Sequence, residues 1–162
     1  MVVLKRYKDC FAWSYNELPG FDRSLVEHRL PMRPNFKPYK QKPRRMRLEV
    51  IQKVKEEILR LLKAGFIRTA RYVEWLSNIV PVVKKNCKMR VCIDFRNLNL
   101  ATPKDEYLKP IVDILVDSSA GHKILSMMVR HSGYNLICIA EEDIYKTAFR
   151  CPGNISTFEW VK

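Results

Sequence analysis

The chain is 162 residues long, and its 47% of hydrophobic residues suffices for the core of one domain without requiring a second. A formal net charge of +13 favours a polyanionic partner, such as nucleic acid or an anionic membrane face, although a basic structural domain would have the same composition. Five scattered cysteines, with no C-x-x-C pair, argue against a disulfide framework or a zinc site and predict an intracellular protein, cytoplasmic or nuclear.

The sequence offers no candidate for membrane insertion. No apolar run approaches the ~20 residues that span a bilayer. The N-terminal sequence M-V-V-L-K-R-Y-K-D also lacks the apolar core of a signal peptide. We therefore expect no membrane partner.

A basic, proline-rich arm occupies residues 29–47, with eight Lys or Arg residues, four prolines and no acidic residue. Because proline fixes φ and lacks an amide donor, we expect the arm to be extended. Phe36 and Tyr39 interleave the charges, which suits phosphate contacts combined with base stacking, but an ordinary basic linker on a domain surface fits equally well. Arg44 and Arg45 are the candidate nucleic-acid contacts in this arm.

The clearest helical pattern covers residues 48–64. Ile51, Val54, Ile58 and Leu61 recur there at three- and four-residue steps, as on one face of a helix. Gly65 follows the last periodic residue and is suited to the left-handed position that ends many helices. The pattern predicts an amphipathic helix that packs on the core.

A β-hairpin is predicted after this helix. Residues 79–85 and 89–95 are rich in strand-forming residues and are separated by Asn86-Cys87-Lys88. A type I′ turn would favour glycine at Cys87, so a side chain there should cost roughly 1 kcal/mol unless the loop is longer. The hairpin would project four cations, Lys84, Lys85, Lys88 and Arg90.

The rest of the chain alternates predicted helices and strands. The segment N-L-N-L-A-T-P predicts a helical turn, and Pro110 begins a second helix whose apolar face holds Ile111, Ile114 and Leu115. Strands are predicted at residues 123–128, 146–150 and 158–161. Such alternation indicates an α/β or α+β core.

Seven motifs in order resemble the fingers and early palm of a reverse transcriptase of the gypsy-type LTR retrotransposon kind. In chain order they are H-R-L-P-M-R-P, L-L-K-A-G-F-I-R, Y-V-E-W-L-S-N-I-V-P-V-V-K-K-N, R-V-C-I-D-F-R-N-L-N, A-T-P-K-D-E-Y, S-G-Y-N and K-T-A-F-R-C-P-G. The resemblance implies an α+β fold with a hairpin, an incomplete palm sheet and flanking helices. Residues 1–47 would be a connector and basic arm, and residues 48–162 a partial reverse transcriptase domain.

The resemblance also implies roles for individual residues. Arg90, with Lys84 or Lys85, matches the fingers cations that grip the triphosphate of a dNTP, where cations neutralise developing charge. Tyr134 matches the aromatic residue beneath the incoming sugar, with a place in a core corner as the alternative. Asp94 and Arg96 lie two apart, so on a strand they share a face and can pair. We expect this pair to position the template of an RNA/DNA primer-template and to pack the fingers, with Asp94 structural rather than catalytic.

The catalytic metal site is where the sequence departs from the family. The intact family uses two Mg²⁺ ions held by carboxylates, and its motif L-S-x-x-D is represented here by Leu125 to Val129, with Val129 at the aspartate. The sequence also ends at Lys162 before any Y-x-D-D run. We therefore expect no cofactor and no catalysis for this fragment. Asp143, in the acidic run E-E-D, is a replacement only in principle, since such a run usually faces solvent.

Four functions stay open on the sequence alone. The chain is an inactive reverse-transcriptase fragment, an active module completed in trans, a non-enzymatic nucleic-acid-binding remnant, or a plain basic structural domain. Val129 argues against the second, and the basic arm favours the third over the fourth. An incomplete palm sheet would leave strand edges unpaired, so we expect marginal stability in that part of the chain.

Overall fold

A five-stranded mixed sheet with one long helix packed on it forms the centre of the molecule. The computed structural model describes residues 5–8, 12, 14, 17–18, 20–84, 89–104, 106–107, 110–125, 133–153 and 156–162. In chain order the elements are β1 (Glu27–His28), α1 (Leu48–Lys63), β2 (Ile67–Ala70), β3 (Ser77–Val83), β4 (Met89–Ile93), α2 (Arg96–Ala101), α3 (Val112–Ser119), β5 (Cys138–Ile139), β6 (Phe149–Arg150) and β7 (Thr157–Trp160), with 3-10 turns at Gly133–Leu136 and Ile144–Thr147.

The strand order of the large sheet is β2-β7-β6-β3-β4. β3 and β6 run parallel, whereas the other three pairs are antiparallel. β1 and β5 form a separate parallel pair of two residues each. Helices together with a mixed sheet confirm the predicted α+β fold class. The sequence analysis did not predict β1, β2 or β5.

The amphipathic helix was predicted correctly. α1 buries Val54, Ile58 and Leu61 against residues of the sheet, and the core formed there includes Phe149 with no exposed surface. Gly65 has φ +72°, and its N–H donates to the carbonyl of Leu62 (3.1 Å), so it ends the helix in the left-handed conformation as expected. The core of the sheet is therefore fixed by the helix face that the periodicity identified.

The hairpin is confirmed, and it projects beyond the sheet. β3 pairs with β6 only at Ser77 and Asn78, whereas it pairs with β4 from Ile79 to Val83. The outer part of β3 thus has one neighbouring strand, which is where a sheet tolerates a proline such as Pro81. The predicted turn, Asn86-Cys87-Lys88, lies outside the described residues.

The basic arm is mostly extended, as predicted, but it turns at Pro34-Asn35, where the Phe36 N–H donates to the Arg33 carbonyl (3.3 Å) and Asn35 has φ +66°. Its backbone follows the start of β3 in parallel: the Gln41 N–H donates to the Leu76 carbonyl (2.8 Å), and the Leu76 N–H donates to the Tyr39 carbonyl (3.1 Å). Nearer its start, the Arg33 N–H donates to the carbonyl of Ala101 at the end of α2 (2.8 Å). Backbone hydrogen bonds therefore attach the arm to the fold at two places.

Two strand predictions were wrong in whole or in part. Residues 123–125 form no strand, and Ile124 is 85% exposed rather than buried, while residues 126–128 lie outside the described part. The segment predicted as a strand at 146–150 begins instead in the 3-10 turn Ile144–Thr147, and only Phe149–Arg150 is a strand. Apolar runs this short do not distinguish a strand from a turn or an exposed segment.

The predicted second helix is present, but it does not pack on the core. α3 begins at Val112, two residues after Pro110. Its apolar side chains, including Ile114 and Leu115, are 55–69% exposed, as is the preceding Ile111. None of the helices in the described ranges is long and apolar enough to cross a membrane.

Candidate nucleic-acid interface

Asp94 joins the arm to the β3–β4 hairpin at the end of β4. Its carboxylate is buried, with 4% of the side chain exposed, and accepts two parallel hydrogen bonds from Arg96, at 2.7 Å from Nε to Oδ1 and 2.8 Å from Nη2 to Oδ2. Arg44 of the arm donates to Oδ2 from Nη2 at 2.6 Å. The predicted Asp94–Arg96 pair is therefore present, but it does not lie on a strand as expected, because Asp94 follows β4 and Arg96 begins α2. The third member, Arg44, was proposed separately and is brought to the same carboxylate.

These contacts keep Asp94 ionised. The Arg96 hydrogen bonds lower the pKa of Asp94 to about 2, against the opposing effect of burial, and the charge of Arg44 acts in the same direction. One carboxylate thus serves two guanidinium groups whose side chains are 78% and 41% exposed. The corner retains a net positive charge that faces solvent, as a phosphate contact requires.

Two amide side chains that the sequence analysis missed hold the arm in this place. Gln41 Nε2 donates to the Asp94 carbonyl (2.8 Å) and to Asn97 Oδ1 (2.9 Å), and Gln41 Oε1 accepts from the Asn78 N–H (2.9 Å). Asn78 Nδ2 donates to the carbonyl of Lys42 (2.7 Å). Gln41, an amide between the cations Lys40 and Lys42, was the signal available in the sequence. An amide side chain can hydrogen-bond a backbone donor and a backbone acceptor at once, so it can attach an extended segment to a neighbouring strand.

Arg45 differs from its neighbour in the arm. Its side chain is exposed and forms no ion pair with any residue in the described ranges. Arg44 is held by Asp94, so the two adjacent arginines present one fixed and one unrestrained cation. The assignment of Arg44, Arg45, Asp94 and Arg96 to nucleic-acid binding stays a prediction, for which this arrangement supplies the geometry.

The hairpin presents its cations at the other end of β4. Arg90 is exposed on β4 opposite Val82 of β3, and Lys84 is exposed directly after β3. Val82 and Val83 beside them are 44% and 64% exposed. Lys85 and Lys88 lie outside the described residues. The predicted role of Lys84, Lys85 and Arg90 in gripping a nucleotide stays a prediction.

Tyr134 lies in the 3-10 turn Gly133–Leu136 and is 94% exposed. This excludes its alternative place in a core corner. The turn itself is attached to the fold, because the Leu136 carbonyl accepts from the Phe21 N–H (2.7 Å). Tyr134 is thus a solvent-facing aromatic ring on a fixed turn, and its predicted contact with a nucleotide sugar stays untested.

Asp143 does not face solvent, contrary to expectation. It is 6% exposed, its Oδ1 pairs with Lys146 Nζ, and its Oδ2 accepts from the Leu30 N–H (2.6 Å). Burial opposes the charged form, but these hydrogen bonds and the charge of Arg29 outweigh it and lower the pKa of Asp143. The Lys146 ammonium and the Leu30 N–H compensate the cost of burying the Asp143 carboxylate. Through the Leu30 contact, Asp143 holds the start of the arm.

The described residues do not fit the magnesium site of the intact family. Val129 lies outside the described ranges, and its alkyl side chain has no oxygen with which to ligate a metal. Within those ranges no group of three or more His, Cys, Asp or Glu side chains is arranged to hold a metal ion. Both oxygens of Asp143 are already used. No step of a reaction is therefore assigned to a metal here.

The chain is similar in sequence to retrotransposon polyproteins. The Tf2-3 and Tf2-4 transposon polyproteins of Schizosaccharomyces pombe are each 30% identical to the chain over 171 aligned residues, covering 98% of the chain and 12% of the polyprotein. The chain thus spans about an eighth of the length of these relatives. No protein-family model matches the sequence.

The fold is shared with solved structures. The foamy viral protease-reverse transcriptase in complex with double-stranded DNA superposes with a TM-score of 0.74 at 18% identity, covering 99% of this chain and 33% of that one. The prototype foamy virus protease-reverse transcriptase gives a TM-score of 0.72 at 20% identity, covering 99% and 21%. The chain is homologous to part of these retrotransposon polyproteins and has a reverse-transcriptase-like fold.

Proposed function

We propose that the chain forms the fingers and the first part of the palm of an RNA-directed DNA polymerase from a gypsy-type LTR retrotransposon, and that it binds a primer-template without extending it. The observation that carries the binding is the Asp94 corner. There a buried carboxylate orients two exposed arginines from segments far apart in the sequence. The gypsy assignment rests on the order of the motifs and agrees with the transposon relatives.

The two cationic groups lie at opposite ends of one short strand. Arg90 is near the start of β4, and Asp94 follows its last residue. At about 3.3 Å per residue, the two positions are about 13 Å apart, which corresponds to roughly four steps of 3.4 Å along one nucleic-acid strand. The hairpin and the corner can therefore contact the same strand, with Arg45 as a further phosphate contact.

The lack of catalysis is proposed from Val129. The resemblance places a metal-binding aspartate at this position, and valine offers no ligand for a hard divalent cation. Losing ~5 kcal/mol of transition-state stabilisation slows a reaction by on the order of 10⁴. A nucleotide bound at Lys84 and Arg90 would then lack the metal that activates the attacking 3′-oxygen, so the chain would bind without turnover. The second candidate function is a non-enzymatic nucleic-acid-binding protein. The Asp94 corner supports this function equally, since it would contact nucleic acid whether or not a polymerase uses that contact.

The test combines binding and extension. A labelled RNA–DNA primer-template is titrated with the full chain at several salt concentrations, and parallel samples receive dNTPs and Mg²⁺. We expect an affinity that falls steeply with salt, because phosphate contacts release counterions, and no extension above a sample without protein. R90Q should weaken binding and reduce the salt slope by about one.

The matched control is R71Q. Arg71 is exposed and forms no ion pair in the described part of the chain, so its replacement changes the net charge equally. If R71Q weakens binding as much as R90Q does, attraction is only a matter of net charge and the interface is wrong. Extension of the primer by the unaltered chain would overturn the proposed loss of catalysis and leave the interface intact.

We also propose that the chain is located in the cytoplasm or nucleus, where a retroelement polymerase would meet RNA. The cysteines described as free thiols, Cys92, Cys138 and Cys151, suit a reducing compartment. Fractionation of cells that express a tagged chain is the direct test, and recovery in a secreted fraction would contradict the proposal.

A further inference from the structure

A small cavity lies between the basic arm and the centre of the sheet. Its volume is about 70 Å³, and it is bounded by Pro43 and Arg44 of the arm, Asn78 of β3, and Arg150 and Cys151 at the end of β6. No carboxylate is among the described residues that line it. By the same measure a water needs about 10–15 Å³, so the cavity accepts a group several times larger.

Arg150 is the unusual member of this lining. Its Nη1 is buried, and no atom in the described ranges accepts a hydrogen bond from it. The backbone of Arg150 pairs with Asn78 of β3 and Thr157 of β7, so the residue is held in the middle of the sheet and cannot withdraw to the surface. A buried cationic donor without an acceptor is costly. The fold therefore retains a group that requires an external partner.

Arg44 of the arm supplies a second cation to the cavity lining. Asp94 takes one hydrogen bond from its Nη2, and a guanidinium group has five N–H donors. Asp94 is also shared with Arg96, so it does not neutralise Arg44 fully. The cavity thus combines a guanidinium from the sheet whose Nη1 lacks an acceptor with a partly paired guanidinium from the arm.

We propose that this cavity is a phosphate-binding site whose cationic ligands are Arg150 and Arg44. Water would satisfy the orphaned Nη1 donor but would leave the guanidinium charge uncompensated, whereas an anion does both. A tetrahedral phosphate presents oxygens in several directions, so it meets guanidinium groups that arrive from two different elements. The site is separate from the hairpin cations and does not depend on the proposed polymerase origin, because inorganic phosphate alone is its first probe.

The first experiment measures thermal stability of the full chain in sodium phosphate and in sodium chloride at equal ionic strength. Phosphate should raise Tm in a saturable manner, because a ligand that binds the folded state stabilises it. R150Q should abolish this rise, and in chloride it should unfold no earlier than the unaltered chain, because it removes an uncompensated charge. R71Q, with the same change in charge, should keep the rise.

Two results would overturn the proposal. One is a phosphate-specific rise that survives in R150Q, and the other is no such rise in the unaltered chain. If R150Q does not fold, the Nε–Hε signals of arginine side chains are followed by NMR in the unaltered chain. Phosphate should shift the Nε–Hε signals of Arg150 and Arg44 along a common binding curve and leave the signal of Arg71 unchanged. If the signals of Arg150 and Arg44 do not shift, the proposal is wrong.

A last experiment identifies the source of the phosphate. The site accepts either a phosphodiester of a nucleic-acid strand or a free phosphate group, and both satisfy the same chemistry. If a single-stranded oligonucleotide uses the site, inorganic phosphate competes with it, and R150Q weakens its binding by about tenfold, as for loss of one charge-assisted contact. If oligonucleotide affinity is the same in R150Q and the unaltered chain while the phosphate effect is lost, the ligand is a free phosphate.

Discussion

Two buried aspartates hold the basic arm to the fold, and they do so with different charge balance. Asp143 pairs with one cation, Lys146, and with the backbone N–H of Leu30, and both side chains are nearly inaccessible, at 8% and 11% exposure. Asp94 is equally buried, but it pairs with two arginines, Arg44 and Arg96, whose side chains are 41% and 78% exposed. The first corner is neutral and closed, whereas the second is cationic and open.

The difference separates attachment from binding. A one-to-one pair that is sealed from water fixes the chain but leaves no charge for a ligand. A carboxylate that pairs with two guanidinium groups fixes the chain and also leaves positive charge at the surface, since it cannot neutralise both of them. The arm therefore begins at a structural clamp and passes, within fifteen residues, to a surface suited to a polyanion.

The largest effect is expected at the closed corner. D143A should lower the free energy of unfolding by about 3 kcal/mol, because it leaves the Lys146 ammonium buried without its partner. Chemical denaturation monitored by tryptophan fluorescence measures this. The double variant D143A/K146A should cost clearly less than the sum of the two single variants, since the pair is coupled. A loss below about 0.5 kcal/mol, the usual effect of a surface substitution, would show that the pair is not buried in solution.

A smaller effect is expected at the open corner. D94N should lower the free energy of unfolding by about 1.5 kcal/mol, since charge-assisted hydrogen bonds are lost while both arginines can turn to water. It should also weaken primer-template binding, because Arg44 and Arg96 lose their fixed positions. E74Q makes the same change at an exposed residue without an ion pair in the described ranges. Binding that improves equally in D94N and E74Q would mean that orientation of the arginines has no role.

The pH dependence of stability distinguishes the corners further. The pKa of Asp94 is lowered to about 2 in the folded chain from an ordinary value near 3.8. The unfolded chain therefore binds the proton first, and the contribution of Asp94 is complete above pH ~5 and is lost as the pH falls towards 2. Allowing for screening of the exposed arginines, we expect a loss of about 1 kcal/mol.

Urea denaturation between pH 6 and pH 2 measures this loss, with D94N as the comparison. The curve for D94N should be flatter than that of the unaltered chain by the Asp94 contribution. The pKa of Asp143 is also lowered, so acid sensitivity should persist in D94N. Parallel curves for D94N and the unaltered chain would contradict the pKa shift of Asp94.

The smallest effect on stability is expected from the two adjacent arginines of the arm. R45Q should leave the free energy of unfolding within about 0.5 kcal/mol, because its side chain is exposed, yet reduce the salt slope of nucleic-acid binding by about one. R44Q should change both quantities, since Arg44 is tied to Asp94. Fluorescence anisotropy over a salt series measures the slopes. Identical stability for the two variants would remove the distinction between a fixed and an unrestrained arginine.

Local patterns predicted the parts of the fold that local interactions determine. The periodicity of α1 and the left-handed Gly65 depend on residues within a few positions of each other, and the hairpin pairs residues no further apart than Ile79 and Ile93. The Asp94–Arg96 pair belongs to the same class, because the two residues are neighbours on one segment. Sequence reasoning therefore found one half of the Asp94 corner.

The other half depends on contacts that sequence spacing does not reveal. Arg44 reaches Asp94 across 50 positions, and Leu30 reaches Asp143 across 113. The same limit explains the error at Asp143, because an acidic run is normally solvated unless a remote donor compensates its burial. The exposed face of α3 shows the converse, since an apolar periodicity predicts a helix but does not supply a surface to cover it.

The strand order has a consequence for the timing of folding. β6 and β7 enter the sheet between β2 and β3, both of which precede them by many residues. On a ribosome, α1 and the β3–β4 hairpin can form as soon as they emerge, but the sheet then contains an open slot with two unpaired edges. The slot closes only after β6 and β7 have emerged, so a nascent chain stalled before β6 would present those edges to chaperones or to other copies of itself.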